Sequence, residues 1–198
     1  MRRILMIAAG LAVVVFAFAT YELEAHGPAP SAQSSFQMGG PFHLVDQNGR
    51  PVSDHDLLGK PTVMFFGFTY CPDVCPTTLA DMTAWLKALG PDADKLNVVY
   101  VTIDPERDTP ARLKSYLTAF DPRIRGLTGT PQAIAQAAHD YNVYYQKVAL
   151  QGGGGEYTMD HSTLIYLMDA KGHTAELVQY GTPNDQVVAS LKRLLKPA

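Results

Sequence analysis

The only two cysteines of the chain, Cys71 and Cys75, are separated by three residues in "GFTYCPDVCPTTLADM", residues 67–82. A disulfide between them would close a five-residue loop and remove only about 2 kcal/mol of unfolded-state entropy, against about 3 for fifteen residues. A structural staple is therefore a poor use of the pair, and chemistry is the better one. The cysteines sit between an apolar stretch, "PTVMFFGF", and a run with helical periodicity. Backbone N–H groups and the dipole at a helix start favour thiolate over thiol. Both a nucleophilic sulfur and a metal ligand need that thiolate. Two thiolates are soft ligands that suit copper(I) best, and Pro72 and Pro76 would stiffen the loop carrying them. Structural zinc asks for four protein ligands, and there is no second cysteine pair. Thiol–disulfide exchange requires the same dithiol, so the residues alone leave copper binding and redox chemistry both open.

Three stretches together resemble the Sco/SenC copper chaperones, which help assemble the dicopper site of cytochrome c oxidase. "TYCPDVCPTTLADM" is similar to the family's signature, "VTIDPERDTP" (101–110) to its second block, and "DHSTLIYLMDAKG" (160–172) to the block with its metal-binding histidine. They fall in the family's order across residues 42–196. The resemblance implies an α/β, thioredoxin-like fold with an N-terminal transmembrane anchor. It also implies copper, as Cu(I) and also Cu(II), held by two cysteines and one histidine, roles that fall on Cys71, Cys75 and His161. The implied partners are the copper-site subunit of the oxidase and other copper donors or thiol reductants. The alternative is a thiol–disulfide oxidoreductase, with Cys71 and Cys75 as the catalytic redox pair; a peroxiredoxin-like peroxidase is third.

Around this set, Asp160 and Asp104 are candidates to orient the imidazole or adjust charge near the metal. Asp108 and Glu106, beside a helix start, read as capping residues. Tyr70 reads either as packing on the sulfurs or as a core aromatic, and Met159 as core rather than ligand. His26, His43, His55, His139 and His173 carry no metal signal of their own.

These residues need elements to position them. "FHLVDQNGRPVS" reads as two short strands about an Asn48-Gly49 turn, and "PTVMFFGF" and "NVVYVTID" as buried strands. Leu79, Met82, Leu86 and Leu89 recur at helical spacing up to Gly90-Pro91. Thr109-Pro110 and Thr130-Pro131 start helices through Phe120 and Tyr141, and Thr182-Pro183 opens the last helix. "VYYQKV", "STLIYLMD" and "TAELVQY" read as strands, which places His161 in the loop entering a late core strand. Strands alternating with helices predict a sheet covered on both faces. The glycine run in "QGGGGEY" (151–157) predicts a mobile approach to His161 and lacks the Lys-Ser/Thr of a phosphate loop.

With 46% hydrophobic residues among 198, the chain has enough apolar material for a core. A net charge of −3 gives no basic surface for nucleic acid. Arg2 and Arg3 precede an apolar run from Ile4 to Ala19, which reads as an export signal. Its length favours a retained anchor, although Ala17-Phe18-Ala19 is similar to a cleavage site. The expected organisation is an anchor at 1–23, a linker at 24–40 and the folded domain at 41–198. Two arginines on the inner side predict a single pass through a bacterial inner membrane, with the domain in the periplasm or outside.

Overall fold

The computed structural model describes residues 38–150 and 155–196. The N-terminal apolar run, most of the linker and three glycines of the 152–155 run lie outside these residues, so the expected anchor and mobile approach fall there. No helix among the described residues is long and apolar enough to cross a membrane.

The fold is mixed α/β. Seven strands form the main sheet in the order β2-β1-β5-β4-β3-β8-β9, and β6 and β7 form a separate two-stranded sheet. The Asn48-Gly49 turn joins β1 (His43–Asp46) to β2 (Pro51–Ser53), with Gly49 at φ +77° as such a turn requires. At the centre, β3 (Thr62–Gly67) is buried at every position, and β4 (Asn97–Thr102) at all but its first. Their unbroken apolar runs have this cause, since a central parallel strand is covered on both faces. The two pair in parallel, Phe65 opposite Tyr100. On its other side β3 pairs antiparallel with β8 (Ile165–Met168), Phe65 opposite Ile165. The remaining strands of the sheet are β5 (Ile124–Thr128) and β9 (Thr174–Val178).

The helices are α1 (Val74–Leu89), α2 (Pro110–Leu117), α3 (Pro131–Asp140) and α4 (Asn184–Leu194). Thr109 and Thr130 cap α2 and α3, each accepting from the backbone N–H three residues on, with proline in the first turn. Helix α2 stops at Leu117, short of the expected Phe120, and α4 has Pro183 rather than Thr182 at its N-cap. Alternation along the central strands sends side chains to opposite faces. Phe65 and Tyr100 share one face, where Tyr100 meets Tyr116 of α2. Phe66 points to the other and meets Tyr166 and Tyr141, the residue ending α3. Trp85 of α1 donates to Asn184 of α4 at 2.6 Å.

Two strands were not legible as strands, β5 and β7 (Tyr157–His161). β5 begins in the charged "RIRG", and β7 pairs only with β6 (Tyr145–Ala149), whose side chains are mostly exposed. Neither carries the alternation that a half-buried strand leaves in a sequence. His161 accordingly closes strand β7 and is not in a loop.

Phe66 is 1% exposed and packed on two tyrosines. Phe66→Ala is expected to cost about 3–5 kcal/mol of unfolding free energy, read as a shifted urea midpoint with little change in slope.

Candidate metal centre

Strand β3 delivers the cysteines. It ends at Gly67, Phe68 and Thr69 are buried, and Cys71 and Cys75 follow on the turn into α1. Asp73 is the N-cap residue but its side chain caps no N–H. A sulfur does so instead: the Cys75 N–H donates to Cys71 Sγ at 3.4 Å. That takes up one of the four N–H groups a helix start leaves unpaired. Cys75 is fully buried, Cys71 is half-buried, and both are free thiols.

Gly67 is required by the approach of α1. A Cβ there would stand 2.7 Å from Cys75 Sγ and 2.9 Å from a ring carbon of Tyr100. Any side chain would push the helix start away from the sheet.

His161 arrives from the other direction. Because β8 is antiparallel to β3, its first residue lies beside the end of β3, and the chain just before it reaches the cysteine turn. His161 Nε2 stands 3.9 Å from Cys75 Sγ across 86 residues of sequence. Its Nδ1 lies 2.7 Å from the Ser162 carbonyl. A carbonyl only accepts, so in the neutral ring Nδ1 carries the proton and Nε2 keeps its lone pair toward the sulfur. The edge of the ring meets Phe68, with Phe65 beside it. Sulfur and nitrogen ligands of one ion, at about 2.3 and 2.0 Å from it, can have the spacing seen here. Among the described residues no three His, Cys, Asp or Glu side chains stand in finished ligating geometry. Drawing Cys71, Cys75 and His161 onto a common ion requires side-chain adjustment.

The two thiols are electrostatically unequal. The Cys75 thiol, hydrogen-bonded to Cys71, holds Cys71 far below the ordinary thiol range, against the opposing cost of burial; His161 and the backbone N–H groups of Cys75 and Asp73 act in the same direction. Cys75 is pushed far up, first by that hydrogen bond, then by burial and the charge on Cys71. The opposite directions make the half-exposed sulfur the readier of the two to ionise.

Four expectations change. Asp160 is exposed and makes no contact with the imidazole, whose orientation comes from the Ser162 carbonyl. Asp104 is buried but accepts from the Tyr157 hydroxyl at 2.8 Å and pairs with Arg107, so it fixes the β6–β7 hairpin rather than the histidine ring. Asp108 is no surface cap. It is fully buried and accepts from the Thr69 N–H at 2.9 Å, the Thr69 hydroxyl at 2.6 Å and the Thr102 hydroxyl at 2.7 Å. Tyr70 is 51% exposed and lies under the guanidinium groups of Arg107 and Arg112, clear of the core. Met159 is buried, in line with its reading as core.

Sequence reasoning missed Arg107. It stacks on Tyr157 at 3.7 Å and donates to the Tyr157 carbonyl at 2.8 Å, tying the hairpin that carries His161 to the loop after β4. Nothing in "DPERD" distinguishes this arginine from a solvated charge.

The chain belongs to the SCO1/SenC family, whose model matches residues 30–196. It is 38% identical over 168 residues to a SCO2-like protein of Rickettsia conorii, covering 85% of this chain and 82% of that one. The structure of Bradyrhizobium japonicum ScoI with copper bound is similar at 50% identity and a TM-score of 0.75, over 79% of this chain and 99% of that one. The fold is shared with BsSco, described as a member of the Sco family of cytochrome c oxidase assembly proteins with a disulfide switch, at 24% identity and a TM-score of 0.65, over 81% and 95% of the chains.

Two outcomes are expected of this site. A cysteine depressed in the folded state stays ionised as pH falls, so alkylation of Cys71 should stay near its plateau below about pH 8, where an ordinary thiol loses about tenfold per unit. Cys75 should remain unlabelled; mass spectrometry after timed iodoacetamide exposure reads both. Asp108→Ala strands three buried donors and should cost about 3 kcal/mol or more in urea unfolding.

Proposed function

We propose that this protein is a membrane-anchored copper chaperone that carries one copper ion on Cys71, Cys75 and His161 and delivers it to the copper-site subunit of cytochrome c oxidase during assembly. The observation that carries the reading is the 3.9 Å approach of His161 Nε2 to Cys75 Sγ, with the Cys71 thiolate at the same helix start. Two thiolates and an imidazole suit copper(I), and imidazole also accommodates copper(II). Copper is cargo, received from another donor and passed on by exchange of ligands between sulfurs. Within this reading residues 1–23 are the anchor and 24–40 the linker. The domain from residue 41 faces the periplasm from a bacterial inner membrane.

A second reading has its own observation. A low thiolate beside a high thiol is also the arrangement of an attacking and a resolving cysteine, so Cys71 and Cys75 would serve a thiol–disulfide oxidoreductase acting on the oxidase subunit or another exported protein.

His161 separates the two, because exchange needs only the dithiol. The reduced full-length chain in detergent is expected to bind one copper(I), and its disulfide form none, since a disulfide sulfur has no thiolate charge to donate. His161→Ala should weaken copper by more than the 10- to 100-fold typical of losing a supporting group around a metal, while keeping most dithiol exchange. Cys71→Ser and Cys75→Ser should lose both. The deciding measurement is oxidase activity at limiting copper in cells lacking the native protein. Restoration by His161→Ala to the wild-type level would end the copper reading in favour of the reductase.

A further inference from the structure

Strand β6 pairs with β7 on one side and with nothing among the described residues on the other. Register decides which of its backbone groups are left open. The Ser162 N–H donates to the Tyr144 carbonyl at 2.9 Å and the Leu150 N–H to the Glu156 carbonyl at 3.0 Å, so the even-numbered positions of β6 bond toward β7. By the alternation of an antiparallel ladder, the N–H and C=O groups of Tyr145, Lys147 and Ala149 point the other way. They have no partner among the described residues. The matching outward carbonyl on β7, that of Tyr157, is taken by Arg107.

Open edges are ordinarily blunted. In the main sheet, edge strand β2 has three residues and starts at Pro51, and edge strand β9 holds Glu176 against Ser190 and Arg193. β6 has no proline, and its one charge, Lys147, is folded back onto Glu106 at 2.6 Å and over the Tyr157 ring. Its solvent face is apolar instead. Of the six large apolar side chains exposed among the described residues, Tyr144, Val148 and Leu150 share that face. A fourth, Tyr70, adjoins Cys71, and with Pro72 it lines the same cleft as Leu150. Tyr145 stands opposite His161 in the ladder. A strand added to β6 would lie two strand spacings, about 10 Å, from the histidine backbone. Its continuation past Leu150 reaches the cysteine turn.

We propose that the β6 edge is the docking site for the protein that exchanges sulfur ligands with Cys71 and Cys75, which adds one extended strand to the hairpin. Unpaired N–H and C=O groups select an extended backbone. The stripe of Tyr144, Val148 and Leu150 selects apolar side chains, and the exposed carboxylates of Glu156 and Asp160 on the same face disfavour acidic ones. A second copy fits less well, because two β6 edges paired antiparallel about their midpoint set Lys147 opposite its own counterpart. The role rests on the reading above, in which copper or a disulfide passes from sulfur to sulfur between two proteins, and it names the surface that recognises the second.

The probe is the soluble copper-site domain of the oxidase subunit encoded in the same genome, added to the reduced, copper(I)-loaded full-length chain in lipid nanodiscs. Amide exchange followed by NMR reads the edge directly. Alone, the amides of Tyr145, Lys147 and Ala149 should exchange freely while those of Gln146 and Val148 are protected. With the domain bound, the three open amides should slow about tenfold or more. Ala149→Pro removes an outward N–H and keeps every bond to β7, a position where proline is tolerated. It should keep copper(I) affinity, which reports an intact hairpin, and raise the domain concentration for half-maximal transfer about tenfold at an unchanged maximal rate. Tyr180→Ser, at an exposed aromatic elsewhere, should behave as wild type. Should the proline unseat His161 and weaken copper, the wild-type amides still decide. Transfer or disulfide exchange with the three amides unprotected, or with Ala149→Pro at wild-type half-saturation, overturns the docking site alone. Protection already present without the domain overturns it too: constant protection assigns the edge to the chain's own segment, and protection rising with the chain's concentration assigns it to a second copy. If neither copper nor a disulfide passes to the domain yet the amides are protected, the docking site stands and the functional reading fails. If none of the three is seen, both fail.

Discussion

Strand β3 pairs in parallel with β4 and antiparallel with β8, and this mixed pairing is the constraint on which the site depends. Parallel pairing brings the ends of β3 and β4 to the same edge, so the cysteine turn and the "DPERD" loop leave the sheet side by side. Antiparallel pairing brings the start of β8 to that edge, and with it His161. Three segments far apart in sequence therefore converge without any long loop having to reach for the others. The apolar side chains of β3, buried at every position, are what fix this arrangement energetically.

At that edge, charge is managed by burial more than by ion pairs. The carboxylate of Asp108 is inside the protein, pushed up by burial although three donors pull the other way, and it holds Thr69 two residues before Cys71. The thiolate next along the chain lies at the end of a helix dipole and takes an N–H that the helix would otherwise leave open. Asp104 and Arg107 are spent on holding Tyr157, so the histidine is located by its strand rather than by a carboxylate of its own.

The cysteine pair, its place at a helix start, the central strands and the threonine-proline helix starts were all legible, because each is a local pattern with a local cause. His161 was legible only through the family's motif; among six histidines nothing local marks it. Strand β7 escaped notice because it pairs outside the main sheet, and β5 because its first residues are charged. Asp108 looked like a cap because its sequence setting, one residue before Thr109-Pro110, is that of a cap. Its burial follows from the neighbouring strand end at Thr69, which no window on the sequence contains.

The histidine and the thiols belong to different sheets. β6 and β7 pair only with each other, and a two-stranded ribbon is marginal by itself. Arg107 and Asp104 clamp it to the main body at Tyr157, Glu106 pairs with Lys147 of β6, and Met159 of β7 is buried in the core. The cysteines, by contrast, are rooted in the most deeply packed strand of the molecule. Separating imidazole from sulfur thus costs the free energy of a partial opening, the release of these few contacts, rather than of global unfolding, and the fold can persist around it.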